Sequence, residues 1–341
     1  MKKLLKTYSC LFFFLGSIAL PGLIRAEVPL HTVKKTVLKR FSIGANRQLW
    51  IDNQYGDIVI KNWKSKNVLI RITLSGQSEE LSRANALLQL VRINTQTNVG
   101  VINVKTIIDT LSSRIKPSAH DQCHISYQVL GPPGLRLKVT NRYGNIDVGR
   151  FSGDLEIDEK FGDIAGGNLS GPVKLHLEQG NIAIDHLNNG DMTVKGFQTI
   201  RIGAIAGVID ARFSSGNRVD MGLSSDLQRL NLEADNVKPL NLFNLGTVGV
   251  VLKVHTLLSK FVYNGVIQFK AGKNPPAIED SLRMHSKGRD TAEQAHDTLL
   301  RLKKLKAMPF LKKENDYEFK TGNALTEIKL NVSFCVLNVK E

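Results

Sequence analysis

Apolar and polar residues alternate with a period of two along most of the chain, in short segments that resemble one another. Between residues 141 and 272 these segments include YGNIDV, SGDLEI, FGDIAG, SGPVKL and QGNIAI. Such alternation is typical of a β-strand with one buried face. The side chains predicted to point inward are Ile146, Val148, Leu155, Ile157, Ile182 and Ile184, and those predicted to point outward are Asp147, Glu156 and Ala183.

A glycine is the second residue of each segment, and the glycines recur at a fixed interval of nine residues from Gly144 to Gly180. One unit is skipped near Thr199, and Gly265 begins an outlying copy. Glycine followed by Asp or Asn predicts a tight turn, because glycine tolerates positive φ and the short polar side chain bonds nearby backbone. The predicted structural turn glycines are Gly56, Gly144, Gly153, Gly162, Gly171, Gly180, Gly190, Gly207 and Gly216.

A nine-residue unit of turn and strand cannot bury its apolar face alone, but stacked units can. Two units give a coil of 18 residues, and coils stack at the strand spacing of about 4.8 Å. The pattern therefore predicts an all-β fold, a single-stranded β-solenoid of the β-helix or β-roll type. It would occupy residues 141–272 in about seven coils.

The segments outside the repeat have different patterns. Residues 27–140 alternate like strands, except at 79–92, where apolar residues share one face of a predicted helix. We expect this part to pack on the solenoid. Residues 273–316 are charged and rich in proline at their start, which predicts a linker or insertion with one short helix. Residues 317–341 return to period two and predict closing strands that pair with the solenoid end.

Residues 1–26 have the features of a signal peptide. Lys2, Lys3 and Lys6 precede an apolar stretch at 11–20, and Ala26 supplies the small residue at a cleavage site. The apolar stretch is shorter than the roughly 20 residues of a membrane span, and no later segment is long enough either. We therefore expect export, to the periplasm or the cell surface and outer membrane of a Gram-negative bacterium.

The net charge of +15 falls to +11 when the four cations of the predicted signal peptide are removed. A basic balance is compatible with nucleic acid, anionic lipid or acidic glycan as a partner. Export argues against nucleic acid, and the even spread of Lys and Arg indicates mainly a solvated surface. Leucines alternate with basic residues at 299–306, which suggests either a weak peripheral membrane contact or a solvated helix that caps the solenoid.

Two cysteines follow the predicted signal peptide, Cys123 and Cys335. An oxidising compartment permits a disulfide between them, but two cysteines so far apart do not form a disulfide framework. A bridge and a pair of buried thiols both remain open.

Candidate metal ligands cluster in HDQCH, where His120, Asp121, Cys123 and His124 are of the types that bind zinc. No second group of Cys and His appears elsewhere. The Gly-Asp turns differ from the G-G-x-G-x-D pattern of calcium-binding β-rolls, which has paired glycines. We therefore expect no metal and no cofactor.

Candidate catalytic acids are present at Asp147, Glu156, Asp158 and Asp185, all on outward or turn positions where carboxylates are normally solvated. The chain has no G-x-S-x-G, HExxH or G-x-G-x-x-G motif. The expected class is a protein without enzymatic activity, and a glycan-active β-helix enzyme is the lesser alternative, by analogy of fold.

Three segments together carry a family resemblance: LWIDNQYGDIVIKNW, NRYGNIDVGRFSGDLEIDEKFGDI and the terminal IKLNVSFCVLNVK. They resemble the putative-adhesin family of exported Gly-rich β-repeat proteins, over residues 41–272 and 317–340. The domain function of that family is unassigned, and it has no catalytic residues to carry over. One departure is Ser333-Phe334-Cys335, where the family has Ser-Phe-Gly.

The resemblance implies a one-sided β-solenoid in the bacterial envelope. Two functions follow as expectations. The first is an adhesin-like or envelope interaction or scaffold module that binds a protein or glycan partner, and the alternative is a periplasmic accessory of an envelope sigma/anti-sigma signalling system.

Overall fold

A computed structural model describes residues 29–42, 48–109, 118–245, 250–257, 259–264, 314–320, 326–333 and 335–340. These residues are mostly β-strand, with one α-helix. The first strands are β1 (His31–Ser42), β2 (Gln48–Asp52), β3 (Ile58–Asn62), β4 (Asn67–Ser78), β5 (Val91–Asn98), β6 (Val101–Ile108), β7 (Gln122–Gly131), β8 (Arg136–Arg142) and β9 (Ile146–Val148), with helix α1 (Leu81–Gln89) after β4. The later strands are β10 (Leu155–Lys160), β11 (Ile164–Leu169), β12 (Val173–Glu178), β13 (Ile182–Val237), β14 (Leu240–Phe243), β15 (Val250–Leu257), β16 (Lys260–Asn264), β17 (Glu314–Lys320), β18 (Thr326–Ser333) and β19 (Val336–Lys340).

Parallel pairing at a regular offset arranges the strands in two columns. In the first column Leu155 of β10 pairs with Leu137 of β8 and with Val173 of β12, each 18 residues away. In the second column Ile164 of β11 pairs with Ile146 of β9 and Ile182 of β13, again at 18. The chain thus returns to the same place after two of the nine-residue intervals that separate the glycines. We call residues 136–243 the stacked region.

The long strand β13 continues this arrangement with a wider interval. Its backbone passes through left-handed residues, among them Asn189 (φ 58°) and Gly207 (φ 65°). Val219 then pairs with Leu240, an offset of 21 residues. The irregular glycine spacing after Gly190 therefore accompanies a longer interval between paired strands.

The core consists of the inward positions of both columns. The six residues predicted to point inward, from Ile146 to Ile184, are each at most 2% exposed, whereas Asp147 and Ala183 are exposed and Glu156 is half-buried. The predicted alternation is confirmed. Each fully buried leucine or isoleucine stabilises the fold by about 1.5–3 kcal/mol, and the buried residues form one continuous cluster from Leu49 to Val339.

The N-terminal end of the structure, formed by β1, β4, β5 and α1 on their neighbouring strands, is antiparallel. Strand β5 pairs with β6, and β4 lies between β7 and β1. Helix α1 is shorter than the predicted 79–92, because Val91 already begins β5. It buries Ala84, Leu87 and Leu88.

Of the closing strands, β17 pairs antiparallel with β15, whereas β18 and β19 each lie between two strands and not at the end of the stack. Strand β18 pairs with β13 on one side, Ile328 opposite Leu230, and with β15 on the other, Ile328 opposite Leu252. Strand β19 lies in the same way between β14 and β16. The apolar alternation of β18 explains this position, since Ile328, Leu330 and Val332 are at most 1% exposed.

Several predictions fall outside the described residues: the signal peptide, the copy at Gly265, and the insertion with its basic helix before β17. Within the described residues, no helix has the length and apolar character to span a membrane. Cys123 and Cys335 are both free thiols.

Candidate functional site at the turn edge

Turns connect the strands of the first column to those of the second at residues 53–57, 141–145, 159–163 and 177–181. These turns lie one above another. We call this line the turn edge. Backbone hydrogen bonds connect each turn to the next, from the N–H of Tyr55 to the carbonyl of Arg142 (2.8 Å) and from the N–H of Tyr143 to the carbonyl of Lys160 (3.0 Å). Because consecutive turns have the same conformation, each position along the turn forms a row.

The left-handed residue of each turn precedes the glycine. Tyr55, Tyr143, Phe161 and Gln179 have φ between 59° and 64°. Of the nine predicted turn glycines only Gly207 has a positive φ. The expectation that these glycines supply the left-handed conformation is therefore wrong for the other eight.

Close approach of neighbouring backbone explains the regularly spaced glycines up to Gly180 instead. A Cβ atom on Gly162 would collide with the carbonyl oxygen of Gly144, and one on Gly180 with that of Gly162. The same holds on the opposite turn, where Gly171 faces the carbonyl of Gly153. Coils at the strand spacing of about 4.8 Å leave no room for a side chain at these positions.

The left-handed positions carry an exposed row of aromatic rings, which we call the aromatic ladder. Tyr55, Tyr143 and Phe161 are 45%, 50% and 44% exposed. The ring centroids of Tyr55 and Tyr143 lie 5.2 Å apart, and those of Tyr143 and Phe161 lie 5.0 Å apart, with interplanar angles of 8° and 6°.

The Asp or Asn after each of the turn-edge glycines Gly56, Gly144 and Gly162 bonds to the next turn. The Oδ1 atom of Asp57 accepts from the N–H of Asn145 (2.8 Å), that of Asn145 from Asp163 (3.0 Å), and that of Asp163 from Asn181 (2.8 Å). These oxygens connect successive turns and do not form a row of free carboxylates. Among the described residues, no three His, Cys, Asp or Glu side chains lie close enough together to hold a metal ion.

A buried polar row lies beneath the turn edge. Asn53, Asn141 and Glu159 are all 0% exposed. The Nδ2 atom of Asn53 donates to Oδ1 of Asn141 (3.1 Å), and Glu159 is the register partner of Asn141. Within the described part of the chain, neither carboxyl oxygen of Glu159 has a hydrogen-bond partner.

Burial determines the charge state of this carboxyl. Removal from water disfavours the carboxylate and raises the pKa of Glu159 to about 8, while the neighbouring Asn141 side chain and the Lys160 backbone oppose the rise only in part. Glu159 is therefore mostly protonated at neutral pH.

The candidate metal ligands of HDQCH contact separate partners. His120 lies 3.3 Å from Glu79, and His124 lies 3.5 Å from Asp57. Asp121 forms a 2.6 Å ion pair with Arg83. The hydrogen bond from Arg83 lowers the pKa of Asp121 to about 2.

The candidate acids lie in two groups. Glu156 and Asp158 lie on β10 in the first column, and Asp147 and Asp185 lie in the second. Glu156 is 2.7 Å from the Nζ atom of Lys138. Their outward positions suit ion pairs and solvation.

The two cysteines lie in apolar surroundings. Cys335 is 2% exposed, and its Sγ atom accepts from the N–H of Val237 at 3.4 Å. Cys123 is half-buried against the core. Burial raises the pKa of both thiols.

Sequence reasoning missed both the aromatic ladder and Glu159. The signal for the ladder is an aromatic residue directly before the glycine in YGDI, YGNI and FGDI. The signal for Glu159 is its place in the alternation, two residues after the inward Ile157. Asn53 and Asn141 occupy the equivalent inward position in their own coils.

No family model matches the sequence, and no curated protein matches it. Two solved structures are similar at low identity. One is a putative cell adhesion protein from Clostridium sporogenes, with 10% identity, coverage of 90% of this chain and 99% of that chain, and a TM-score of 0.23. The other is a putative adhesin from Bacteroides fragilis, with 12% identity, coverage of 61% and 93%, and a TM-score of 0.28. Similarity at this level is too weak to carry a conclusion about function.

Proposed function

We propose that the chain is an exported β-solenoid without enzymatic activity, which acts as an adhesin-like binding module at the bacterial cell envelope. The turn edge is its binding surface, and the partner is an envelope glycan or protein. The aromatic ladder of Tyr55, Tyr143 and Phe161 is the observation that carries the proposal.

Backbone conformation supports a role for the rings beyond folding. A left-handed conformation at a bulky residue costs about 1–3 kcal/mol, and Gly or Asn would adopt it more easily. Ring stacking stabilises the structure by about 0.5–1.5 kcal/mol per pair. Aromatic side chains at these three positions therefore stabilise the turn no more than the usual turn residues would.

Exposure and rigidity support the same role. The three rings form a continuous apolar strip on the surface, and exposed apolar patches of this kind mark interaction sites. Side chains fixed by stacking lose little conformational entropy on binding. The phenol hydroxyls of Tyr55 and Tyr143 add hydrogen-bonding groups at the strand spacing, which suits an extended partner lying along the ladder.

The ion pair made by Glu156 favours a binding function over catalysis. A glycosidase needs two carboxyl groups on either side of one bond, about 5–10 Å apart. Glu156 and Asp158 share the outward face of β10, but Glu156 is held in an ion pair with Lys138. The support for the function therefore lies in the rigid exposed surface.

Binding of the purified full chain to isolated envelopes of the producing bacterium tests the proposal. Tyr143→Asn removes the central ring and suits the left-handed backbone, so we expect the melting temperature to change little and binding to fall at least tenfold. Val99→Asn is the matched control, because Val99 is fully exposed in the turn between β5 and β6.

Treatment of the envelopes identifies the partner class. Periodate destroys a glycan partner, and protease destroys a protein partner. Equal binding by Tyr143→Asn, Val99→Asn and the unchanged chain would contradict the proposal.

A further inference from the structure

A second surface lies on the outward face of four neighbouring strands at the N-terminal end, in the order β3, β7, β4 and β1. Two rows of paired residues cross these strands. One row is Lys61, Leu130, Leu69 and Arg40, and the other is Val59, Gln128, Arg71 and Leu38. We call these eight residues the basic face.

Charge on these strands has one sign. Strands β1, β3 and β4 and the turn between β3 and β4 contain no Asp or Glu. They carry Lys34, Lys35, Lys39, Arg40, Lys61, Lys64, Lys66 and Arg71, all exposed except the half-buried Lys39. None of these eight cations makes an ion pair with another described residue.

The first column of the stacked region differs in this respect. Several of its outward cations pair with carboxylates on adjacent strands: Lys138 with Glu156 (2.7 Å), Lys160 with Glu178 (2.7 Å), and Arg212 with Asp191 and Glu233 (3.6 Å each). The unbalanced charge at the N-terminal end is therefore a local feature, and not simply the result of a basic sequence.

Apolar side chains lie between the cations. Leu38 is 60% exposed, and Leu69, Leu130 and Val59 are only half-buried on the outward side. Asp147 of β9, opposite Val59, lies at the border of the face. Cations alone would suit any polyanion, but leucines among them suit a partner with both anionic groups and apolar chains.

We propose that the basic face docks on an anionic lipid surface. The cations lie against anionic headgroups, and Leu38 inserts among the upper parts of the acyl chains. Each Lys or Arg held near an anionic membrane strengthens binding about fivefold, and buried apolar area adds to it. The proposal rests on other residues than the turn edge, whose first turn ends at Asp57, two residues before Val59.

Vesicle co-sedimentation tests the proposal. The full chain is mixed with vesicles of phosphatidylcholine alone and with vesicles of equal parts phosphatidylcholine and phosphatidylglycerol. We expect binding to the mixed vesicles only, and weaker binding as salt is added. Comparison of variants in the full chain cancels any contribution of the N-terminal apolar segment.

Three variants locate the surface. Arg40→Gln with Arg71→Gln should weaken binding about twenty- to thirtyfold, and Leu38→Ser should weaken it severalfold. Lys174→Gln with Lys195→Gln is the control, because it removes the same charge from exposed positions in the stacked region and should have little effect. Circular dichroism melting verifies that each variant is folded.

Each of three results would overturn the proposal. Equal losses in both double variants would mean that only net charge matters. Equal binding to both vesicle types would mean that the anionic headgroup is irrelevant. Unchanged vesicle binding by Leu38→Ser, together with displacement of the protein by soluble polygalacturonate, would identify an acidic polysaccharide as the ligand.

Discussion

The stacked region and the N-terminal end share one apolar core, but different factors limit their side chains. In the stacked region every position repeats at the strand spacing, so Gly162 has no room for a Cβ atom and Glu159 has no access to water. At the N-terminal end, strands β1 and β5 each pair with one strand among the described residues. Repetition therefore excludes a side chain at Gly162 and disfavours a charged Glu159 in the stacked region. At the N-terminal end, the edge strands leave their outward side chains in contact with solvent.

Truncation should give the largest difference between the regions. Removing residues 317–341 takes away β18 and β19 from between two pairs of strands and exposes their apolar partners. We expect the truncated protein to aggregate. By contrast, the full chain should stay soluble when Val33 and Val37 of the edge strand β1 are replaced by Thr. Sedimentation and light scattering check both results, and a soluble truncated protein would contradict the assigned strand order.

A glycine substitution should have the next largest effect. Gly162→Val should destabilise the protein by about 3–5 kcal/mol, because the side chain meets the backbone of Gly144. Asp163→Ala should cost about 1–2 kcal/mol through its lost hydrogen bonds. Gly134→Ala is the control, since its surroundings are open and only its φ of 77° opposes the change; about 1 kcal/mol is expected. Chemical denaturation measures all three, and equal losses would contradict the close-approach explanation.

Stability should depend on pH with opposite sign in the two regions. The folded state holds the Glu159 proton up to a pH of about 8, whereas the ordinary pKa is 4.5. The contribution of Glu159 to stability is therefore fully present below about pH 4.5 and is lost as pH rises to about 8, by a few kcal/mol. Glu159→Gln should abolish this slope. Urea titrations across that range measure it, and an unchanged slope would show that Glu159 is not the titrating group.

Asp121 at the N-terminal end should act in the reverse direction. Its pKa falls from 3.8 to about 2 through the hydrogen bond with Arg83. The stability that it contributes is present above about pH 3.8 and is lost as the pH falls to about 2. Asp121→Asn should remove the loss in that acid range and should leave the Glu159 slope intact. Acid titration of the two single variants separates these contributions.

The sequence pattern was sufficient to predict the alternation, the 18-residue interval and the existence of α1, because each depends on spacing along the chain. It was not sufficient to predict the position of β18 and β19, since the same alternation is compatible with an end or an interior place in the stack. The reason for the turn glycines was also missed. Positive φ is a local property, whereas the collision at Gly162 involves a residue 18 positions away.

The candidate site shows the same limit. The aromatic residues before the glycines of YGDI, YGNI and FGDI are visible in the sequence, but their stacking and exposure depend on the distance between coils. Glu159 stands at an inward position by simple counting, yet its protonation follows from burial away from water in the folded chain.

The smallest expected effect is that of a chelator. The Asp and Asn oxygens of the turn edge accept backbone hydrogen bonds, so EDTA should leave the melting temperature essentially unchanged. Calorimetry with and without EDTA measures this. A fall of many degrees that calcium or zinc reverses would mean that a metal couples to folding.

Site-specific photocrosslinking in living cells tests the central claim most directly. A benzophenone amino acid is placed at Tyr143 in the aromatic ladder, or at Lys174 on the exposed strand face of the same region. The account predicts a crosslinked partner from position 143 and none from position 174. A partner captured from position 174 and not from position 143 would contradict the assignment of the turn edge as the binding surface.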